Sequence, residues 1–221
     1  MDVRKRSLGG PIDTLLKGGL ECGVVTNVYG PAGSGKSNIC MLATCMLSRF
    51  GKVLYIDTEG SFSYDRFRQM GGTAEQLLNI LLCNVHDWKE QCAEVQKLSN
   101  LADDVQLIVI DSMVAHYRVE LDQKIFRTMN TQLASQYATL SKLARTHGIP
   151  VVVTNQVYST SDEKVGLSSN AVAKYWSKIL IELKRLEQEN QRMAIIRKHR
   201  SMPEGASVKF EIVEHGLQAI E

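Results

Sequence analysis

Residues 30–37 constrain the fold more than any other stretch of this sequence. They read Gly-Pro-Ala-Gly-Ser-Gly-Lys-Ser and fit the pattern G-x-x-x-x-G-K-[ST] at every fixed position. Glycines let backbone N–H groups close around phosphates, the lysine reaches the β- and γ-phosphates of a nucleotide such as ATP, and the hydroxyl binds Mg²⁺. The predicted nucleotide-binding residues are Gly30, Pro31, Ala32, Gly33, Ser34, Gly35, Lys36, Ser37 and Asn38.

The flanking residues support a phosphate-binding loop. Residues 24–29 are a β-branched and aromatic run that is typical of a strand. After the loop, apolar residues from Ile39 to Phe50 recur at three- and four-residue spacing, which predicts a helix with one apolar face. Such a helix points its free N–H groups and positive dipole end at the nucleotide. A glycine-rich turn without a ligand is the alternative, and this context disfavours it.

Length and composition indicate one domain in a reducing compartment. The chain has 221 residues, 44% of them hydrophobic, and a net charge of +2. We expect a single core domain over residues 1–221, in which residues 1–20 form a segment rather than a separate N-terminal helical domain. Five cysteines without a C-x-x-C pair favour reduced core residues. Without an apolar span of about 18 residues, we expect a soluble, cytoplasmic protein that does not contact a membrane.

Strand and helix patterns alternate along the chain. Further strands are predicted at 53–56, 79–85, 106–110 and 151–154, with a long helix over 122–147 that ends at Gly148. Three later segments, 178–184, 192–198 and 207–214, alternate apolar and polar residues, as antiparallel strands with one wet face do. The predicted fold is α/β, of the phosphate-loop NTPase class: a mostly parallel twisted sheet flanked by helices, with a C-terminal antiparallel extension.

Polar side chains follow three of the predicted strands. Glu59, Asp111 and Gln156 each stand at or just after a strand end, where open α/β sheets bind ligands. Hydrolysis of a γ-phosphate needs neutralised charge and an oriented water. Lys36 and a Mg²⁺ ion held by Ser37 and Asp111, partly through water, would supply the first, and Glu59 would orient or deprotonate the water. Gln156 would contact the γ-phosphate. The alternatives are a solvated carboxylate for Glu59 and an ordinary loop amide for Gln156.

These motifs resemble a known family. The loop, then residues 55–60 (Tyr-Ile-Asp-Thr-Glu-Gly), 107–112 (Leu-Ile-Val-Ile-Asp-Ser) and 154–157 (Thr-Asn-Gln-Val), look like the ATPase core of the RecA/RadA recombinases. The likeness covers roughly residues 7–221 and is greatest with short archaeal paralogues that consist of that core. It implies a catalytic carboxylate at Glu59, a Mg²⁺ ligand at Asp111 and a nucleotide-sensing switch at Gln156.

The resemblance also implies roles for more distant residues. Arg66 lies in a segment similar to the one that stacks an arginine on adenine, although an ordinary exposed helix arginine is the alternative. Lys198 and Arg200 resemble the basic residues that related ATPases project toward a neighbouring subunit's γ-phosphate. A solvated group of charges at a strand end is the alternative there. If Lys198 and Arg200 act on a neighbouring copy of this chain, the protein forms a homo-oligomer.

DNA is the implied partner, and the basic residues of two loops are the candidates to bind it. Acidic residues oppose these cations, so we expect modest binding to single-stranded or branched DNA and no autonomous strand exchange. Weak ATPase activity is a further expectation that the resemblance implies. The resemblance implies an accessory protein of recombination and repair that assists the recombinase RadA or a Holliday-junction resolvase. The alternatives are a nucleotide-gated protein-interaction switch and a ring-forming regulatory ATPase of the KaiC or bacterial RadA type. The DNA-binding candidates are Arg118, Lys124, Arg127, Lys164 and Lys174.

Overall fold

The computed structural model describes residues 3–100, 102–120, 125–156 and 171–220. Its helices are α1 (Pro11–Leu16), α2 (Lys36–Leu47), α3 (Tyr64–Gln69), α4 (Ala74–Leu77), α5 (Trp88–Lys97), α6 (Ala115–Val119) and α7 (Phe126–His147), with a 3₁₀ turn at Leu98–Asn100. Its strands are β1 (Lys5–Arg6), β2 (Leu20–Glu21), β3 (Val25–Gly30), β4 (Lys52–Asp57), β5 (Ile80–Asn84), β6 (Val105–Asp111), β7 (Val151–Gln156), β8 (Ile179–Arg185), β9 (Gln191–Lys198), β10 (Ser207–Val213) and β11 (Gly216–Ile220).

Nine of these strands form one sheet, in the order β11-β10-β9-β8-β3-β7-β6-β4-β5. The six from β8 to β5 are parallel, whereas β9, β10 and β11 pair antiparallel. The predicted α/β class, with its mostly parallel sheet and antiparallel extension, is confirmed. For β8 the prediction is confirmed on one edge, where the strand pairs antiparallel with β9, and wrong on the other, where it pairs parallel with β3. The strand is also mostly buried rather than wet on one face. Strands β1 and β2 pair separately.

Two apolar cores cover the two faces of the sheet. One packs α1, α2 and α3 against it, and the other packs α5, α6 and α7 against the opposite face. The apolar run of β6 is explained by its position between the two cores. Five of its seven residues are hydrophobic and fully or nearly fully buried. Helix α7 covers one face with Leu133, Tyr137 and Leu140, all of them buried.

The helix boundaries refine the sequence predictions. Helix α7 begins at Phe126 rather than 122, so it has about six turns, and it ends at Gly148, whose φ of 60° is the predicted left-handed cap. Helix α2 ends at Leu47, and Phe50 is therefore exposed instead of belonging to its apolar face. Asp87 caps α5 by accepting from the Glu90 N–H, and the Glu90 carboxylate accepts from the His86 N–H. The sequence patterns missed β11.

The sheet order explains where a site can form. Strand β7 lies between β3 and β6, and β4 follows β6, so four parallel strands present their carboxyl ends side by side. The phosphate loop follows β3, and the three predicted polar residues lie at or after the ends of the other strands. Among the described residues, no helix is long and apolar enough to cross a membrane.

Candidate functional site

The phosphate loop joins β3 to α2 through glycines that the geometry requires. Gly33 and Gly35 have φ values of 69° and 99°, a region that side chains other than glycine rarely adopt. At Gly30 the constraint is space, because a Cβ atom would lie 2.5 Å from the Leu183 carbonyl oxygen and 2.9 Å from Ser34 Oγ. Residues 30–37 thus form a tight turn at the start of α2 that needs glycine at positions 30, 33 and 35.

Two polar side chains in the loop fit a bound polyphosphate. Ser34 Oγ is buried and has no hydrogen-bond partner in the described chain. Lys36 is nearly buried and its Nζ donates to the carbonyl oxygens of Gly30, at 3.1 Å, and Pro31, at 2.9 Å. Burial lowers the pKa of Lys36, and the carboxylates of Glu59 and Asp111 oppose that shift. An unpartnered buried hydroxyl and a buried ammonium inside a glycine cradle favour an anionic ligand.

Asp111 ends β6 inside a cluster of hydroxyl groups. Its carboxylate accepts from Tyr55 Oη at 3.1 Å, from Ser61 Oγ at 2.8 Å and from the Thr154 hydroxyl. Only 2% of Asp111 is exposed. Burial raises the pKa of Tyr55 well above its usual value, and the charge of Asp111 adds to this. The cluster fixes the carboxylate at the strand end. A carboxylate held in this way is better suited to bind Mg²⁺ through a water molecule than to coordinate the ion directly.

The position of Glu59 is determined by the turn after β4. Asp57 shapes this turn, because its carboxylate accepts from the backbone N–H groups of Glu59, Ser61 and Phe62. Glu59 Oε1 in turn accepts from Ser112 Oγ at 2.8 Å. Glu59 is thus tied to the residue after Asp111, which brings the two predicted carboxylates to neighbouring strand ends.

Gln156 lies beside the phosphate loop and across a cavity from Glu59. In the β3–β7 ladder it is the partner of Gly30, the first loop residue. A cavity of about 330 Å³ is lined by Glu59, Ser112, Arg118 and Gln156 together with apolar residues of α6. The structure therefore brings Lys36, Glu59, Asp111 and Gln156 together, as the sequence predicts, and adds Arg118, a predicted DNA-binding residue, to the wall beside Glu59.

Arg66 makes more contacts than an exposed helix residue would. Its Nε donates to Asn38 Oδ1 at 2.8 Å, and its other N–H groups donate to Gln69 and to the carbonyl oxygens of Val213, Glu214 and Gly216. These five bonds use all five guanidinium donors. The two faces of the guanidinium plane make no use of these donors, so the group can still stack on a planar ring. Stacking on adenine stays a prediction. Asn38, a predicted nucleotide-binding residue, contacts Arg66 through its side chain.

Lys198 and Arg200 lie away from their own phosphate loop. Lys198 aligns across β8 with Asn27, three residues before the loop begins, and Arg200 lies further in that direction. Lys198 Nζ donates to the carbonyl oxygens of Lys174 and Ser177, whereas Arg200 forms an ion pair of 2.8 Å with Glu21, which is 1% exposed. Within the described chain neither cation contacts residues 30–37, so a role toward a neighbour's phosphate stays a prediction.

The three described DNA-binding candidates lie on three different helical segments. Arg127 is exposed on the first turn of α7, and Lys174 is exposed in the helical residues 171–176. Arg118 lines the cavity beside Glu59. Lys124 and Lys164 lie outside the described residues.

The sequence patterns missed several residues that build the site. The hydroxyl donors to Asp111 and Glu59 come from four separate segments, and no local motif pairs them. Arg192 on β9 is a further example, since its Nε donates to the Gly33 carbonyl oxygen at 2.9 Å. Asp57 carried a signal, because an aspartate that begins a polar turn commonly accepts from backbone N–H groups two or more residues later.

Comparison with known proteins agrees with this geometry. The sequence model of the Rad51 family matches residues 7–220. The chain belongs to the Rad51 family. Relatives include the DNA repair and recombination protein RadB of Methanobrevibacter smithii, 39% identical over 98% of this chain and 96% of the relative, and that of Methanococcoides burtonii, 40% identical over 94% of each. A solved structure titled as the RadB recombinase has 34% identity and a TM-score of 0.80, and covers 97% of this chain and 99% of its own.

Membership of the Rad51 family confirms the predicted resemblance and the fold class. It implies a nucleotide bound with Mg²⁺ at the phosphate loop, in agreement with the glycine cradle and the buried Lys36. The roles of individual site residues remain proposals.

Proposed function

We propose that this protein is an ATP-binding, slowly hydrolysing, DNA-binding accessory protein of homologous recombination and DNA repair. The convergence of Lys36, Glu59, Asp111 and Gln156 at the ends of four adjacent strands carries the proposal. The names of its RadB relatives support the assignment to repair and recombination. In this role the protein assists or regulates a recombinase of the RadA kind or a junction-processing nuclease, and does not exchange strands alone.

Each site residue has a step that its surroundings suit. Lys36 and the loop N–H groups bind the phosphates, and Glu59, oriented by Ser112 Oγ, positions or deprotonates the attacking water. Gln156 adjoins both Gly30 and the Glu59 cavity, so it can report whether a γ-phosphate is present. Ser37 and Asp111 would hold Mg²⁺, which when bound neutralises phosphate charge.

Slow turnover is expected because, among the described residues, Lys198 and Arg200 contact no part of the chain's own phosphate loop. Lys198 and Arg200 bind carbonyl oxygens and Glu21 instead of the loop. If charge at the γ-phosphate is completed by these residues of a neighbouring copy, hydrolysis depends on assembly. Light scattering with and without ATP measures that assembly. A monomer in both states, with turnover independent of protein concentration, would exclude the trans-acting role.

The experiment that tests the function measures DNA binding and ATP turnover in the same samples. Single-stranded and branched DNA are added at two salt concentrations, with Lys36→Ala as the background for turnover. We expect DNA binding that weakens at higher salt, because phosphate contacts release counterions, and slow turnover that DNA leaves unchanged. A severalfold rise in turnover would instead indicate a DNA-dependent recombinase or motor. No DNA binding at low salt would favour the nucleotide-gated protein switch.

A further inference from the structure

The antiparallel extension reaches the phosphate loop through one charged side chain. Arg192 lies on β9 opposite Arg185, at the end of β8 that adjoins the loop. Its Nε donates to the Gly33 carbonyl oxygen at 2.9 Å, and its Nη1 donates to the Gln191 carbonyl oxygen at 2.8 Å. Two hydrogen bonds in different directions fix the guanidinium plane at the apex of the loop.

Apolar residues of the same extension support the loop beside this contact. A Cβ atom placed on Gly35 would lie 3.2 Å from Ile212 Cδ1 and 3.9 Å from Phe210 Cε2, and Phe210 is fully buried. The loop therefore rests on β10 at Gly35 and is held by β9 at Gly33. These contacts fall on either side of Ser34, whose backbone N–H donates to the Pro31 carbonyl oxygen at 3.3 Å within the loop.

Peptide chemistry links the Arg192 contact to the bound anion. The Gly33 carbonyl and the Ser34 N–H belong to one amide group, and a phosphate loop directs its N–H groups inward at the phosphates. A cationic donor on the carbonyl oxygen polarises the amide and makes its N–H a stronger donor. In a trans peptide the C=O and N–H point in opposite directions, so the Ser34 N–H points away from Arg192. Its bond to the Pro31 carbonyl oxygen is long, at 3.3 Å, and a bound phosphate oxygen can replace that acceptor.

We propose that Arg192 is a positioning residue of the nucleotide site, which holds and polarises the Gly33–Ser34 peptide so that the loop is preorganised for a polyphosphate. This proposal rests on the proposed ATP binding. It assigns the antiparallel extension a part in nucleotide binding, whereas Glu59 and Gln156 serve the reaction. Arg192 therefore contributes to affinity and leaves the hydrolysis step unchanged.

Calorimetric titration of ATP and of ADP, each with Mg²⁺, into three variants tests the role. Arg192→Ala is expected to weaken both nucleotides about tenfold, the effect of one charge-assisted hydrogen bond. Turnover at saturating ATP should change less than twofold. Arg192→Lys should recover most of the affinity, because an ammonium can donate to the same carbonyl oxygen. Arg185→Ala is the matched control, since it removes the cross-strand arginine and leaves the loop contact intact.

The outcomes separate this inference from the proposed function. Equal affinities for wild type, Arg192→Ala and Arg185→Ala would overturn the role of Arg192 alone. A loss that Arg192→Lys does not recover, or a fall in saturated turnover as large as the fall in affinity, would also contradict it. If the wild-type protein itself bound no ATP, the proposed function would fail first and the role of Arg192 with it.

Discussion

The phosphate loop follows the carboxyl end of β3, whereas the Lys198–Arg200 segment runs from β9 toward the amino end of that strand, and the two regions are built differently. Residues 30–37 follow one another in the sequence, and the fold of the loop is imposed by its glycines and by the start of α2. In contrast, Arg200 depends on Glu21, 179 residues away, and Lys198 on carbonyl oxygens 21 and 24 residues away. The comparison teaches that the backbone shape of the phosphate loop is determined by residues close together in the sequence. The positions of Lys198 and Arg200 are determined instead by contacts with distant parts of the chain.

The largest expected effect is at the phosphate-loop site, where one substitution should lower ATP hydrolysis without weakening ATP binding. Glu59→Gln should lower ATP turnover by at least about 100-fold, because an amide cannot accept the proton of the attacking water. ATP affinity should stay within about threefold, since Lys36 and the loop N–H groups are untouched. Single-turnover hydrolysis and calorimetry measure the two quantities, with exposed Glu75→Gln as the control. Near wild-type turnover would mean that Glu59 only lines the cavity.

In the Lys198–Arg200 segment, removal of a cation should lower the free energy of unfolding. Arg200→Ala leaves the buried Glu21 carboxylate without its closest cation, and we expect a loss of about 2 kcal/mol in the free energy of unfolding, moderated because Arg200 is half exposed. Urea denaturation measures it. Adding Glu21→Gln to Arg200→Ala should recover part of the loss. If Arg200→Ala is as stable as wild type, the ion pair contributes nothing and Arg200 is available for another role.

Lys198 gives the cleaner test of action in trans, because the bonds that its Nζ makes to described residues are to backbone carbonyl oxygens near the surface. Lys198→Ala should lower turnover about tenfold at high protein concentration, with hardly any change in ATP affinity, as expected of a cation supplied by a neighbour. Exposed Lys178→Ala is the matched control. A turnover rate that matches this control at every protein concentration would remove Lys198 from the mechanism.

The smallest effect is a pH dependence of stability at the basic segment. His199 is buried 3.3 Å from Glu21, and burial lowers the pKa of His199 although Glu21 opposes this. The unfolded chain then binds the extra proton first, so stability should fall as the pH drops below about 6.5, by at most about 1.4 kcal/mol per pH unit. Thermal melts of wild type and His199→Gln at several pH values measure it. Parallel curves would contradict this prediction.

The same contrast explains what the sequence could predict. The phosphate loop, the buried strand before Asp111 and the Gly148 cap each have a local cause, and the structure has them where the patterns predict. Strand β8 could not be assigned to the parallel sheet, because its alternating pattern does not reveal that β3 covers its second edge. Nor could the Arg192 contact be foreseen, since 159 residues separate it from Gly33.

The measurement that tests the account most directly is a calorimetric titration of ATP with Mg²⁺ into wild type and Lys36→Ala, with circular dichroism and thermal melting as checks of folding. The account predicts saturable binding to the wild type and none detectable to a folded Lys36→Ala protein. Tight ATP binding by folded Lys36→Ala would contradict the assignment of residues 30–37 as the nucleotide site.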